Sequence, residues 1–197
     1  MAAMRPFFMV RDIYGASTIC FYGIAILGAS MIDAENPAVT PAQIRMAAMN
    51  LLSLREHSAK ELQVKLAKKF ASPELITSVI NKLQQDNLQS DDRFSEAFVN
   101  MRLRQGKGAL VIRMELKEKG ISADLIDKHI GGNHDNVDWN QLALKAYEKK
   151  FGKAPIGDLK EKARRIRFLT ARGFSTTNIQ YALKRTNERF DEDEDDF

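Results

Sequence analysis

Residues 58–80 have the sequence SAKELQVKLAKKFASPELITSVI, and the apolar pattern of this stretch returns twice further along the chain. The first return comes 50 residues later, and the second comes 53 residues after that. The corresponding positions are Leu62 and Ile112; Leu66, Leu116 and Leu169; and Ile76, Ile126 and Ile179. A period near 50 residues is typical of proteins built from helical repeats. The pattern therefore predicts three copies of one helical unit.

Each copy has the same order of helix stops and helix starts. A Lys-Gly or Arg-Gly pair ends one amphipathic helix, at Gly120 and at Gly173, because glycine tolerates the left-handed conformation that closes a helix. One apolar residue follows, and then comes a serine suited to cap the next helix, at Ser122 and at Ser175. The first copy departs from this order, since Phe70 stands where the later copies have glycine.

The predicted fold is all-α, an elongated curved array of three tandem three-helix repeats. An isolated helical unit of about 50 residues is only marginally stable, so we expect neighbouring units to stack and bury their remaining faces. The predicted boundaries are an apolar leader outside the fold at 1–40, repeats at 41–89, 90–133 and 137–190, and an acidic tail at 191–197. A stacked array offers one long surface to an extended partner.

The leader differs in composition from the repeats. Residues 13–32 contain no charged side chain, a length that could cross a bilayer or serve as the apolar part of a signal peptide. An upstream extension of the reading frame, with Met31 or Met46 as the start, is the interpretation we favour, and a membrane role is not expected. The chain has one cysteine, Cys20, which excludes an intrachain disulfide and predicts a reducing, cytoplasmic location.

The charge of the protein is unevenly distributed. The formal net charge is +4, although the tail contains six consecutive acidic residues at 191–196, so the rest of the chain is markedly basic. A basic body suits nucleic acid, an anionic membrane surface or an acidic protein partner. The tail is interpreted mainly as a solubilising segment, and a salt-sensitive brake on anion binding is the alternative.

Ten basic residues of the second and third repeats are the candidate binding residues. Arg113 and Lys117 lie four apart on one predicted helix face, and no acidic side chain four residues away on the same helix neutralises them. Glu115 and Lys119 form such a pair and are an exception. The full set is Arg102, Arg104, Lys107, Arg113, Lys117, Lys149, Lys150, Lys160, Arg164 and Arg167. These side chains could contact DNA phosphates or acidic patches of a protein, and a merely solvated helix face is the alternative.

Catalytic and metal-binding patterns are weak in this sequence. The histidines are scattered, and His129 and His134 near Asp135 are a poor candidate for a metal site. The Gly106-Lys107-Gly108 segment lacks the preceding strand and the spacing of a phosphate-binding loop, and it predicts a tight corner between helices. We therefore expect no enzyme activity, no cofactor and no metal.

Several motifs resemble those of the RecX family, the regulators of the RecA recombinase. The resemblance covers about three quarters of the chain, and it departs at the leader, at Phe70 and at the acidic tail. The motifs are Ser58-x-x-Glu61-Leu62-x-x-x-Leu66; Asp91-Asp92-x-Phe94; Gly108-x-x-x-Ile112-x-x-x-Leu116-x-x-Lys119-Gly120-Ile121; Asp138-Trp139 with Lys149-Lys150-Phe151-Gly152; and Arg165-x-x-x-Leu169-x-x-Arg172-Gly173-Phe174.

The resemblance implies a regulator of homologous recombination, DNA repair and the SOS response. Such a protein binds the RecA–single-stranded DNA filament and inhibits its ATPase and strand-exchange activities. The implied partners are the RecA filament and single-stranded DNA, with no small-molecule substrate, and the protein is expected to be a monomer. The alternative is a non-specific helical-repeat nucleic-acid-binding protein without a dedicated protein partner. A membrane-tethered adaptor remains open only if the leader spans a membrane.

Overall fold

The computed structural model describes residues 39–131, 137–152 and 156–194. These residues form nine α-helices and no strand, which confirms the predicted all-α tandem repeat. The first repeat contains α1 (Pro41–Leu52), α2 (Ala59–Ala67) and α3 (Pro73–Gln85); the second contains α4 (Asp91–Arg104), α5 (Ala109–Glu118) and α6 (Ala123–Ile130); the third contains α7 (Trp139–Phe151), α8 (Leu159–Ala171) and α9 (Thr176–Glu194). Most of the predicted leader, His134 and the last three residues lie outside this description.

Most of the described helices begin at a polar side-chain cap, whereas α3 and α5 have no side-chain cap bond. The hydroxyl of Ser58 accepts a hydrogen bond from the backbone N–H of Glu61, and Ser122 and Ser175 cap α6 and α9 in the same way. Each bond satisfies one of the N–H groups that a helix start leaves without an intrahelical partner. The last helix extends through Glu194, so the beginning of the predicted acidic tail is helical.

Each repeat has its own hydrophobic core. Leu62 and Ile76 are buried in the first, Ile112 and Ile126 in the second, and Leu169 and Ile179 in the third, together with other apolar residues of the same repeat. The positions that recur in the sequence are therefore the positions that pack inside each unit. Trp139 is an exception, because it opens α7 in the third repeat and packs against the core of the second.

The second helices of successive repeats meet end to end. The hydroxyl of Ser58, which caps α2, donates a hydrogen bond of 2.8 Å to the carbonyl of Lys119 at the end of α5. At the next junction the N–H of Gly108, which caps α5, donates a bond of 2.7 Å to the carbonyl of Arg172 at the end of α8. The positive start of one helix thus faces the negative end of another, which is electrostatically favourable.

The glycines at these junctions have a second role beyond closing a helix. Gly120 and Gly173 have φ values of +81° and +86°, and a Cβ atom on Gly173 would lie 2.5 Å from the backbone nitrogen of Val111 in the neighbouring repeat. A Cβ on Gly108 would overlap the Gly173 carbonyl. Phe70, which follows the end of α2, is buried in the first core, 9% exposed, and none of residues 68–70 has a positive φ. The end of α2 therefore needs no glycine.

Candidate functional site

A cavity of about 320 Å³ lies where the second and third repeats meet, and its charged lining is entirely basic. Arg104 comes from the end of α4, three lysines come from α7, and Arg172 comes from the end of α8. The described residues that line the cavity include no aspartate or glutamate. We call this cavity the basic groove. Its cations are Arg104, Lys145, Lys149, Lys150 and Arg172.

Arg172 is held in place within the basic groove. Its Nη1 donates hydrogen bonds to the carbonyl oxygens of Gln105 at 2.8 Å and Gly106 at 3.2 Å, across the junction between repeats. Its guanidinium carbon lies 4.7 Å from the centre of the Phe168 ring, a cation–π distance. The side chain is half-buried, so its position is fixed before any ligand arrives.

A layer of aromatic rings and arginines supports the groove from below. The rings of Phe151 and Phe168 meet edge to face at 5.2 Å, and Arg164 lies over Phe151 at 5.4 Å. Arg165 is buried, 4% exposed, and hydrogen-bonds to Glu161 and to the Tyr147 hydroxyl. Burial opposes the charged form of Arg165, but the hydrogen bonds with Glu161 and Tyr147 outweigh it and raise the pKa of the guanidinium.

The structure distributes the ten candidate residues over several surfaces. It brings Arg104, Lys149 and Lys150 together in the basic groove. A second depression, at the start of α8, is lined by Lys160, Arg164 and Arg167 together with the acidic side chains Asp158 and Glu161. Arg113 and Lys117 line a third with Asp127, Arg102 lies beside Phe98, and Lys107 is half-buried in the turn between α4 and α5.

Several of the candidate charges are neutralised by partners on other helices. Arg102 pairs with Glu115 at 2.6 Å, and Arg113 pairs with Asp127 at 2.5 Å. Arg113 has no acidic side chain four residues away on its own helix, and its partner Asp127 comes from α6 instead. Lys119 pairs with Glu61 of the first repeat at 2.7 Å, whereas Glu115 was its expected partner.

The junction of the first and second repeats has an equivalent cavity of mixed charge. It measures about 370 Å³, and Ala97, Met101 and Arg102 of α4 line it at the positions that Lys145, Lys149 and Lys150 of α7 have in the basic groove. Glu61 accepts from Arg55 at 3.0 Å and from Lys119 at 2.7 Å. Burial raises the pKa of Glu61, but the hydrogen bonds from Lys119 and Arg55 outweigh it and lower the pKa overall. An all-basic lining thus distinguishes the second junction from the first.

Comparison with known proteins agrees with this repeat architecture. The first, second and third three-helix domains of RecX match residues 45–83, 90–130 and 137–183. The chain belongs to the RecX family. A regulatory protein RecX of Chromohalobacter salexigens is 38% identical over 136 residues, which cover 69% of this chain and 88% of the relative. One of Legionella pneumophila is 40% identical over 137 residues, covering 70% and 90%.

The fold is also found in solved RecX structures. The crystal structure of RecX from Lactobacillus salivarius has a TM-score of 0.63 and 22% identity, and the match covers 75% of this chain and 96% of that one. At this identity the match concerns the fold alone. The curated RecX relatives are named regulatory proteins, and none of those described above has the name of an enzyme.

Two cations of the basic groove, Lys145 and Arg172, are absent from the ten candidates. The sequence pattern assigns Arg172 to a helix stop, since it precedes Gly173 in the RecX repeat. The alignment of the repeats could have indicated a role for Arg172 at the junction, because Arg172 occupies the position of Lys119, which also lies at a junction. Lys145 lies one helical turn before Lys149 on α7, and this spacing places both on the same face.

Polar groups elsewhere in this RecX chain form structural contacts. Asp92 accepts from Lys128 and lies 2.8 Å from Nε2 of His129, and these two bonds, the first being the larger effect, lower the pKa of Asp92. Within the described ranges, no group of three or more His, Cys, Asp or Glu side chains could hold a metal ion. In the same part of the chain, no helix is long and apolar enough to cross a membrane.

Proposed function

We propose that this RecX-family protein binds the RecA–single-stranded DNA filament and inhibits its ATPase and strand-exchange activities. Family membership supports a regulatory role, and the observation that carries the proposal is the basic groove. Five cations converge there without a carboxylate among the described lining residues. Such a site attracts a polyanion such as a nucleoprotein filament, because each phosphate contact releases a condensed counterion.

The proposed inhibition is stoichiometric and does not involve catalysis by this chain. Each repeat supplies a modest contact, and hydrogen bonds at the junctions hold neighbouring repeats in register. Once one repeat is bound, the contacts of the next become intramolecular and gain from a high effective concentration. A protein held in this way along a filament opposes the subunit movements that accompany ATP turnover.

The second candidate function is non-specific binding of nucleic acid. The same groove favours it, because phosphate contacts by Lys and Arg carry no sequence information and occur with any DNA. The two functions differ in their dependence on RecA. A dedicated regulator inhibits a preformed filament at concentrations too low to saturate naked DNA, whereas a non-specific binder requires saturation.

A charge-reversal experiment tests the proposal. Lys149→Glu/Lys150→Glu changes two exposed lysines in the last turn of α7, and Lys68→Glu/Lys82→Glu is the matched control at the ends of α2 and α3. Both variants introduce the same charges near helix C-termini, so they carry a similar penalty from the helix dipole. We expect the groove variant to need about tenfold more protein, or more, to inhibit RecA ATPase, because the cost of like charges is several kcal/mol.

The control variant should inhibit RecA like the unmodified protein. Circular dichroism melting of both variants checks that the fold is retained. Full inhibition by a folded groove variant would remove the basic groove from the mechanism. Inhibition by the unmodified protein only at concentrations that saturate naked single-stranded DNA would leave non-specific binding as the function.

A further inference from the structure

We propose that the basic groove seats one nucleotide of single-stranded DNA, with its base stacked on the guanidinium plane of Arg172 and its phosphate bound by Arg104, Lys149 and Lys150. The inference deepens the proposed function and rests on it for the identity of the groove as the binding site. The proposed ligand is DNA, and the alternative ligand is an acidic surface of the filament protein.

The size of the basic groove fits a single nucleotide. The groove is a cavity of about 320 Å³ between two repeats. Pockets for small molecules have volumes of roughly 300–1,000 Å³, so this one is large enough for a single nucleotide but not for a helix or a duplex. Acidic patches on folded proteins are convex or flat, and they would contact the rim of such a cavity without filling it.

The lining of the basic groove is partly cationic and partly apolar. Besides five cations, the groove presents the apolar side chains of Leu103, Leu142, Ala146 and Phe168. Free phosphate, or the carboxylate groups of an acidic surface, would leave this apolar wall without a contact. A nucleotide has a charged phosphate and a flat, largely apolar base, and it matches both parts. In a duplex the base is stacked and paired, so only a single strand can offer it to a protein in this way.

The guanidinium of Arg172 has a fixed position in the groove. Two carbonyl oxygens, of Gln105 and Gly106, hold its guanidinium, and the ring of Phe168 supports one side of it. A planar guanidinium is a stacking surface for bases as well as a charge. Because the junction between repeats already orders this side chain, the stacked geometry costs little additional entropy on binding.

The test compares three DNA ligands with the full chain and two variants. The ligands are a short single-stranded oligonucleotide, the same oligonucleotide with abasic sites throughout, and the corresponding duplex, each followed by fluorescence anisotropy. Arg172→Lys keeps the positive charge and removes the plane. Lys149→Gln/Lys150→Gln removes two charges and keeps the plane.

We expect Arg172→Lys to weaken binding of the intact single strand by about tenfold, the size of a lost stacking contact. Its affinity for abasic DNA and for duplex should change by less than about twofold, because neither ligand offers a base to stack. Lys149→Gln/Lys150→Gln should weaken all three ligands alike and should lower the slope of log affinity against log salt by about 1 to 2.

Equal losses on all three ligands for Arg172→Lys, or no loss on any, would overturn the inference. If melting shows that Arg172→Lys disturbs the junction, Phe168→Leu removes the aromatic support while keeping an apolar side chain, and the same selective loss is expected. Unchanged DNA binding by both variants with weaker binding to the RecA filament would assign the groove to protein. Selective loss on single strands without any RecA inhibition would refute the proposed function and keep the nucleotide site.

Discussion

Gly173 shows at the scale of one residue how closely the repeats approach each other. Its φ of +86° closes α8, and its carbonyl accepts a hydrogen bond of 3.1 Å from the N–H of Leu110 in the second repeat. Any larger residue would need both the left-handed conformation and space that the backbone of Val111 already occupies. The same residue therefore ends a helix and permits a junction.

Replacing Gly173 by alanine separates these two roles when Gly106→Ala is the control. Gly106 also has a positive φ, +69°, but the nearest atom to a Cβ there is Nη1 of Arg172 at 3.3 Å, well beyond the 2.5 Å contact at Gly173. Gly106→Ala should cost only the left-handed conformation, about 1–2 kcal/mol. Gly173→Ala should cost about 1–3 kcal/mol more because of the overlap with Val111. Urea unfolding measures both, and equal losses would contradict the close approach.

The sequence predicts the glycine stops but only part of their role. Lys119-Gly120 and Arg172-Gly173 are recognisable as helix ends because a left-handed residue is a local property of the chain. Their contacts with Lys60 and Val111 depend on how whole repeats are placed, and a local pattern contains no such information. The end of α2 needs no glycine, because none of residues 68–70 has a positive φ.

At the scale of secondary structure, α2, α5 and α8 form a series in which the start of each helix meets the end of the next one. Ser58 is fully buried at the first of these contacts, and its hydroxyl both accepts from Glu61 and donates to the Lys119 carbonyl. At the second contact the backbone N–H groups of Gly108 and Leu110 take over the donor role. The cap of one helix is thus also the link between repeats.

Ser58→Ala and Ser122→Ala should therefore differ in their effect on stability. Ser122 is exposed and caps α6 through the N–H of Leu125 alone, so its loss should cost about 1 kcal/mol. Ser58→Ala loses a cap and leaves the Lys119 carbonyl without this donor, which adds about 1–2 kcal/mol. Thermal melting of the two variants gives the comparison. A loss for Ser58→Ala no greater than that for Ser122→Ala would argue against the link.

Helix positions and their buried faces follow from the sequence, but charge pairing between helices does not. The spacing of Leu66, Leu116 and Leu169 reports a property of each helix, and all three are buried. The pairs Arg113–Asp127 and Arg102–Glu115 join residues on different helices. Partners three or four residues away always lie on the same helix. This spacing rule therefore cannot detect the acidic partners of Arg113 and Arg102.

The described part of the chain has three separate cores and two junction cavities at equivalent places in the repeat. The first cavity is lined by Glu56 and Glu61 as well as by basic residues. The second contains no carboxylate among its described lining residues. The repeats thus share one architecture, and the two junctions differ in charge. We expect the second junction to be where this molecule contacts its polyanionic partner.

Placing one carboxylate in the basic groove tests this account most directly. Gln105→Glu is an isosteric change at an exposed residue that lines the groove at the end of α4, and Gln85→Glu is the control at the exposed end of α3. The measurement is a titration of the RecA–single-stranded DNA filament with each full-length variant at low and high salt. Gln105→Glu should weaken binding by about fivefold at low salt, and the difference should shrink at high salt. Gln85→Glu should bind like the unmodified protein. Unchanged affinity of a folded Gln105→Glu variant at low salt would contradict the account.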